Sequence, residues 1–163
     1  MKVASQLTFK MRGNTKPFGW HQDNGYGELD PCNAETALTA LDDNDQQTGC
    51  LWDIPKPHRR GQIRPPKEQT VEGTAAQNEL VVEADESDAI PMPLKAGQTL
   101  ILHCWTLHKS EGNYSPDRER RGLFLRYADA DAVEVYDNRK PRLGRLVEGS
   151  SRFAEVATFE RDL

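Results

Sequence analysis

The spacing of the apolar residues constrains the fold most strongly, because they occur in short runs rather than at helical intervals. Leu7, Phe9 and Met11 alternate with polar neighbours, which is the period-two pattern of a half-buried strand. Six further short runs predict strands at 35–41, 50–54, 80–83, 89–94, 99–104 and 122–127. Only residues 151–161 carry a weak helical pattern. The sequence therefore predicts a mainly β protein, built as an antiparallel sandwich or barrel.

Turn-forming residues separate these runs. Groups of Asp, Asn, Pro, Gly and Ser occur at 42–44, 55–57, 96–97 and 113–116. Two longer stretches, 24–34 and 58–78, predict loops of a length that is usually either functional or disordered in a compact β domain.

Size and charge limit the classes of function. A chain of 163 residues with 36% hydrophobic and 29% charged residues predicts one domain with a modest core. The net charge of -5 at pH 7 argues against nucleic acid or an anionic membrane as the main partner. Neither a membrane-spanning run nor the apolar stretch of a secretory signal is visible. The three cysteines (Cys32, Cys50 and Cys104) are widely spaced, which predicts no disulfide framework and a reducing, cytoplasmic setting. We expect Cys104 to pack as a small apolar side chain.

Among the four histidines, two are candidate metal ligands. His21 precedes Asp23 by two residues, so on a strand both side chains would point to the same side. With His108 they would supply two imidazoles and one carboxylate to one face of an octahedral ion, as in non-haem Fe(II) oxygenases. A His-x-Asp pair is common by chance, and a surface or turn pair is the alternative. His58 is expected in a loop and His103 as a hydrogen-bonded barrel residue.

A candidate anion-binding arginine follows His108. Arg120 opens the predicted strand that contains Gly122, and its guanidinium is suited to gripping the far carboxylate of a dicarboxylate in a bidentate manner. Strand alternation places Arg120 and Gly122 on one face, where the small glycine would leave room for a ligand. The alternative is a solvated surface arginine, with Arg118 or Arg126 then taking the role.

Taken together, these elements resemble the phytanoyl-CoA dioxygenase-like family of Fe(II)/2-oxoglutarate oxygenases. The resemblance covers residues 5 to 128 and rests on groups in the family's order: Trp20-His21-Gln22-Asp23-Asn24, Ala40-Leu41-Asp42-Asp43, Thr48-Gly49-Cys50-Leu51 with Ile54-Pro55, Ala96-Gly97-Gln98, His108-x-Ser110-x-x-Asn113-x-Ser115, and Arg120-Arg121-Gly122-Leu123. The fold it implies is the double-stranded β-helix, a cupin-like jelly roll.

The resemblance also implies a set of site residues. It maps His21, Asp23 and His108 onto the iron ligands and Arg120 onto the arginine that binds the distal carboxylate of 2-oxoglutarate. Ser110 is expected beside that cosubstrate, whereas Asn113 either orients the surroundings of the metal or forms a turn.

This sequence departs from the family in three places. It has Pro55-Lys56-Pro57-His58 where members usually have Pro-Gly-Ser-His, and Leu38 near the place where many have tryptophan. Members are also much longer at the N-terminus, so we expect a core over 1–128 that lacks much of the usual N-terminal helical segment, followed by an extension over 129–163. An uncovered sheet face is then expected, which predicts either a homodimer or a loosely closed barrel.

By resemblance, the protein is a dioxygenase that binds Fe(II) and 2-oxoglutarate and hydroxylates a small molecule with release of succinate and CO2. The presence of Asp23 favours hydroxylation over halogenation, because related halogenases have a small residue there. Two alternatives stay open. One is a non-catalytic or truncated jelly-roll protein that binds a metal or ligand, and the other is a cupin-like enzyme that uses the metal without 2-oxoglutarate.

Overall fold

Two four-stranded antiparallel sheets form the framework of the computed structural model, which describes residues 1–23, 29–56, 59, 61–63, 69–70, 78–79 and 82–159. The major sheet has the order β1-β11-β4-β9, with bounds Lys2–Lys10, Arg120–Tyr127, Glu35–Ala40 and Thr99–His103. The minor sheet has the order β2-β10-β5-β8, with bounds Phe18–His21, His108–Ser110, Leu51–Asp53 and Ile90–Met92.

The connectivity of these eight strands identifies the fold. Numbered among themselves along the chain, they lie in the orders 1-8-3-6 and 2-7-4-5. Consecutive strands therefore mostly alternate between sheets, as two Greek keys produce in a jelly roll. The predicted mainly β, double-stranded β-helix fold is confirmed.

Shorter elements complete the described structure. A three-stranded sheet has the order β13-β12-β3, with bounds Lys140–Pro141, Val133–Glu134 and Leu29–Asp30. A two-residue pair joins β6 and β7, Gln69–Thr70 and Asn78–Glu79. A 3-10 turn spans Glu86–Asp88, and one short helix, α1, spans Ala154–Thr158. No helix in the described part of the chain is long and apolar enough to cross a membrane.

Small apolar clusters fill the space between the sheets. Leu38, Leu51 and Leu102 come from three different strands and are almost fully buried together. A second cluster, which includes Leu29 of the three-stranded sheet, contains Leu29, Ala34, Cys104, Ala128 and Ala132. The modest core predicted from composition is consistent with these small groups.

Most predicted strands occur in the structure, although their ends differ. The runs 35–41, 50–54, 89–94, 99–104 and 122–127 correspond to β4, β5, β8, β9 and β11. The predicted strand 80–83 is not formed over its described part, since Val82 and Glu83 lie outside any strand, and residues 80 and 81 lie outside the described residues. The predicted helix is reduced to α1. Most of the predicted loop 58–78 lies outside the described residues.

Strand β1 has the predicted alternation, but its apolar side faces outward. Leu7 and Phe9 are 50% and 55% exposed, whereas Thr8 and Lys10 point toward the sandwich interior. Ile101 on β9 is also exposed on the outer side of the same sheet. The outer face of the major sheet therefore carries apolar side chains exposed in this structure.

Candidate metal centre

Two neighbouring strands of the minor sheet bring the candidate histidines together. β2 ends at His21 and β10 begins at His108, and the register places the two residues directly opposite each other. Directly paired residues of an antiparallel sheet project to the same face. The ring centroids are 4.2 Å apart and the rings are tilted by 53°. Both residues are largely buried between the sheets.

Asp23 completes the group, although strand alternation is not what places it. β2 ends at His21, so the chain has already left the strand where Asp23 turns back toward the histidines. Its Oδ1 lies 3.8 Å from Nε2 of His21 and 3.7 Å from Nε2 of His108. The predicted proximity is found, whereas the predicted reason, a shared strand face, is wrong.

Gln22 and Thr36 fix this turn. The Gln22 side chain is 1% exposed, and its amide donates hydrogen bonds to the carbonyl oxygens of Trp105 at 2.8 Å and Gly61 at 3.0 Å. The Thr36 hydroxyl donates to Oδ2 of Asp23 at 2.5 Å. Oδ1 of Asp23 is therefore the oxygen that faces the two imidazoles, because the other carboxylate oxygen is held by β4.

Backbone carbonyls select the ring nitrogens that face the centre. Nδ1 of His21 lies 2.8 Å from the carbonyl oxygen of Gly19, and Nδ1 of His108 lies 3.0 Å from that of Thr106. Each Nδ1 must carry the proton to donate these bonds, so each Nε2 presents its lone pair toward Asp23. This is the tautomer that a metal ligand requires.

The protonation states also suit a metal. Burial, together with the neighbouring His108, lowers the pKa of His21 to about 3, so this imidazole is neutral near pH 7. Burial acts to raise the pKa of Asp23, but the neighbouring His108 and the Thr36 hydrogen bond outweigh it and hold that pKa below its usual value. The three ligand atoms lie within 4.8 Å of one another. Two imidazole nitrogens and one carboxylate oxygen are a donor set that fits a divalent first-row metal ion such as Fe(II).

A second cluster, which we call the cation end, lies at the start of β11. Arg120 is only 7% exposed and points inward with Gly122, as predicted. Its partner in the register of β1 is Lys10, whose Nζ donates to the hydroxyl of Ser110 at 3.0 Å and also to the carbonyl oxygen of Glu111. Among the residues that the structure describes, no carboxylate forms an ion pair with Arg120 or Lys10.

The electrostatics of the cation end are unfavourable without an anion. Burial and the positive charge of Arg120 lower the pKa of Lys10 to about 8. Burial also lowers the pKa of Arg120, with the Cys50 side chain acting in the opposite direction. Two partly desolvated cations side by side favour a bound carboxylate, because it would offset their mutual repulsion.

Strand β10 links the two clusters. His108 and Ser110 lie on the same face of this strand, two residues and therefore roughly 7 Å apart along it. That separation is comparable to the length of an extended five-carbon dicarboxylate. If one end of such a ligand were bound to a metal ion held by the histidines, its other end would reach toward Ser110 and Arg120.

The remaining predicted candidates lie elsewhere or have structural contacts. A methyl group at Gly122 would lie 2.9 Å from Cδ1 of Leu38, so the room expected there for a ligand is already filled. Arg118 pairs with Asp45 at 2.8 Å on the surface. Nδ1 of His103 accepts a hydrogen bond from the backbone of Trp105 at 3.1 Å. His58 lies outside the described residues.

Asn113 is a turn residue. Its amide donates to the carbonyl oxygens of Lys10 and Arg118, and its side-chain oxygen accepts from the backbone of Ser115. Of the two roles expected for Asn113, these contacts favour the turn.

Sequence analysis missed Lys10, Thr36 and Gln22. Lys10 carried a signal, since it occupies a polar position of an alternating strand that begins near the first residue, but the pattern did not tell which side faces inward. Thr36 carried none, and Gln22 stood out only as a member of the group Trp20-His21-Gln22-Asp23-Asn24, because the roles of both depend on contacts between distant segments.

The chain is similar to known proteins over most of its length. The family model described as "Phytanoyl-CoA dioxygenase (PhyH)" matches residues 2–122. Phytanoyl-CoA dioxygenase 1 from Oryza sativa subsp. japonica is 28% identical over 132 residues, which cover 81% of this chain and 46% of the relative. The chain spans about half the length of the curated relatives it matches.

Two solved structures are also similar. A non-heme monooxygenase, ThoJ in its apo form, has a TM-score of 0.71 at 22% identity. The aligned part covers 97% of this chain and 55% of the ThoJ chain. EvdO2 from Micromonospora carbonacea var. aurantiaca, complexed with 2-oxoglutarate, has a TM-score of 0.62 at 26% identity. The aligned part covers 85% of this chain and 55% of the EvdO2 chain.

Proposed function

Because the chain belongs to the phytanoyl-CoA dioxygenase (PhyH) family, we propose that it is an Fe(II)- and 2-oxoglutarate-dependent dioxygenase that hydroxylates a small molecule. The observation that carries the proposal is the clustering of His21, Asp23 and His108, with their ligand atoms turned toward one point. The cation end supports it, since a metal alone would not require Arg120 and Lys10 at one barrel end.

His21, Asp23 and His108 would hold Fe(II), which when bound supplies dioxygen activation coupled to oxidative decarboxylation of 2-oxoglutarate to succinate and CO2. The protein would fix the geometry. Gly19 and Thr106 hold the imidazoles in the ligating tautomer, and Thr36 directs one oxygen of Asp23 toward the metal. Because these residues supply only three ligands, they would leave room for the cosubstrate and dioxygen.

The distal carboxylate of 2-oxoglutarate would bind at the cation end. Arg120 would provide a charge-assisted hydrogen bond from a buried guanidinium. Ser110 would donate its hydroxyl proton, because its oxygen already accepts a hydrogen bond from Lys10. Lys10 thus serves as a positioning residue that also contributes positive charge. Because the two cations of this cluster favour a ligand with a second carboxylate, they argue against a cupin-like enzyme that works without 2-oxoglutarate.

Substrate class and setting belong to the same proposal. The substrate would be a small molecule that approaches the metal from the barrel opening. The acidic composition argues against nucleic acid or an anionic membrane as the partner. A reducing cytoplasm would keep the iron ferrous. The exposed apolar side chains of Leu7, Phe9 and Ile101 support a homodimer through the major sheet, which light scattering of the purified chain would test.

The experiment that tests the proposal is anaerobic titration of the Fe(II)-loaded protein with 2-oxoglutarate. We expect the weak visible metal-to-ligand band of a chelated keto acid, and on admission of oxygen succinate release that rises with a substrate found in a metabolite pool. Absence of both iron and 2-oxoglutarate binding would contradict the proposal. Binding of both without succinate release in any pool would indicate the non-catalytic alternative.

A further inference from the structure

Two cysteines from distant segments meet outside the metal centre. Cys32 lies in the turn between β3 and β4, and Cys104 directly follows β9. Their sulfur atoms are 2.8 Å apart, although the residues are 72 positions apart in the sequence. Both are present as thiols. The separation is shorter than an ordinary contact between sulfur atoms, and only a small approach separates it from an S–S bond of about 2.05 Å.

The surrounding backbone holds the two segments in this arrangement. The N–H of Cys104 donates to the carbonyl oxygen of Ala34 at 2.9 Å, and the Cys104 thiol lies 3.4 Å from the carbonyl oxygen of Cys32. The chain neighbours of these two residues, Glu35 after Ala34 and His103 before Cys104, are paired in the major sheet. Cys104 and Ala34 are also buried in one apolar cluster, against which Cys32 packs. The sulfur atoms are therefore juxtaposed by the sheet itself, so that little rearrangement is needed to join them.

The two thiols differ in their access to solvent. Cys32 is partly exposed, whereas Cys104 is 1% exposed. The hydrogen bond with Cys32, aided by the positive charge of Arg126, lowers the pKa of Cys104 despite its burial. The third cysteine, Cys50, is fully buried, and burial raises its pKa. The chain thus contains an inert thiol as an internal reference.

We propose that Cys32 and Cys104 are a peroxide-responsive dithiol that closes reversibly to an intramolecular disulfide. The partly exposed Cys32 sulfur, as the thiolate, attacks one oxygen of hydrogen peroxide, which forms a sulfenic acid and releases hydroxide. The Cys104 thiolate then attacks the Cys32 sulfur, and the second hydroxide leaves. With the two thiol protons counted, two thiols and one hydrogen peroxide yield one disulfide and two water molecules. A dithiol reductant reverses the step by thiol–disulfide exchange.

The disulfide would brace the strand that holds the candidate carboxylate ligand. The turn with Cys32 leads directly into β4, where Thr36 donates to Asp23. The segment after Cys104 includes Trp105, whose carbonyl oxygen accepts the Gln22 amide. Joining the two sulfurs would close a long loop of the unfolded chain, so the oxidised protein should unfold at a higher temperature.

The test uses the full chain, fully reduced and freed of metal by a chelator, and then treated with hydrogen peroxide at neutral pH. We expect the number of titratable thiols to fall from three to one and to return to three with dithiothreitol. Peptide mass mapping without reduction should show Cys32 joined to Cys104 and Cys50 unmodified. The unfolding temperature should rise on the order of 5 to 10 °C.

Matched variants make the result specific. Cys50→Ser should keep both the disulfide and the rise in unfolding temperature, whereas Cys32→Ser and Cys104→Ser should lose both. Retention of three thiols in the wild type, a disulfide that involves Cys50, or linkage only between two chains would overturn the proposal. Because the assay contains no metal and no 2-oxoglutarate, its outcome is independent of the proposed oxygenase function.

Discussion

The metal centre and the cation end are linked by strand β10, which carries His108 at the first and Ser110 beside the second, yet the two clusters differ in how complete they are. At the metal centre every candidate ligand already has a partner that orients it: Gly19 for His21, Thr106 for His108 and Thr36 for Asp23. At the cation end, Arg120 and Lys10 face each other across two strands, and within the described ranges neither forms an ion pair with a carboxylate.

This difference indicates how the two clusters would bind their ligands. The metal centre is preorganised, so its selectivity depends on ligand geometry. The cation end carries unfavourable charge that is relieved only by an anion, so its contribution is realised on binding. A variant at the first should remove metal, whereas a variant at the second should leave metal binding intact and weaken only the dicarboxylate.

The largest effect is expected at the metal centre. The double variant His21→Ala/Asp23→Ala should abolish stoichiometric binding of Fe(II), because the single remaining imidazole of His108 cannot replace the set of three ligands. Metal content per chain, measured after anaerobic loading and desalting, checks this. His103→Asn is the matched control, since it changes a histidine outside the cluster and should bind one metal ion. Unchanged metal content in the double variant would move the site to His58 or His103.

A smaller effect is expected from Arg120→Ala. Loss of a desolvated, charge-assisted contact should weaken 2-oxoglutarate binding by about 2 to 5 kcal/mol while one metal ion stays bound. Titration of the Ni(II) form measures this without turnover. Arg118→Ala is the control, because its guanidinium pairs with Asp45 on the surface. Equal affinity in the wild type and Arg120→Ala would remove Arg120 from the site and leave Arg118 or Arg126 as candidates.

The smallest effect is expected at Lys10. Its charged form is present below a pKa of about 8, so the affinity of the wild type for 2-oxoglutarate should fall as pH rises through that value. Lys10→Met should bind 2-oxoglutarate more weakly at pH 7 and lose this pH dependence, and Lys10→Arg should recover affinity. Lys140→Met, which removes an exposed lysine of β13, should behave as the wild type. A wild-type affinity that stays flat between pH 7 and 9 would contradict the assigned role of Lys10.

Sequence alone predicted much of the fold because period-two alternation and turn residues are local signals. Strands β4, β9 and β11 follow directly from such runs. Strands β2 and β10 were not predicted, since four and three residues are too few for a period to show. Alternation in β1 gave the strand but not its inward side: the polar side faces the interior because Lys10 and Thr8 find hydrogen-bond partners there.

The site followed the same division. His21, Asp23 and His108 could be proposed as ligands from the sequence, because residue types and their order along the chain are visible there. What holds them could not be predicted, because the contacts of Asp23 with Thr36, and of Lys10 with Ser110, join strands that are distant in sequence. The sequence likewise could not show that the Leu38 side chain fills the space beside Gly122.

The most direct test of the central claim is a crystal structure of the Ni(II)-loaded protein with 2-oxoglutarate bound. We expect one metal ion ligated by Nε2 of His21, Nε2 of His108 and Oδ1 of Asp23, the keto acid end of the ligand on that ion, and its distal carboxylate in hydrogen-bond contact with Arg120 and Ser110. A metal ion bound elsewhere, or a distal carboxylate that contacts neither residue, would contradict the account.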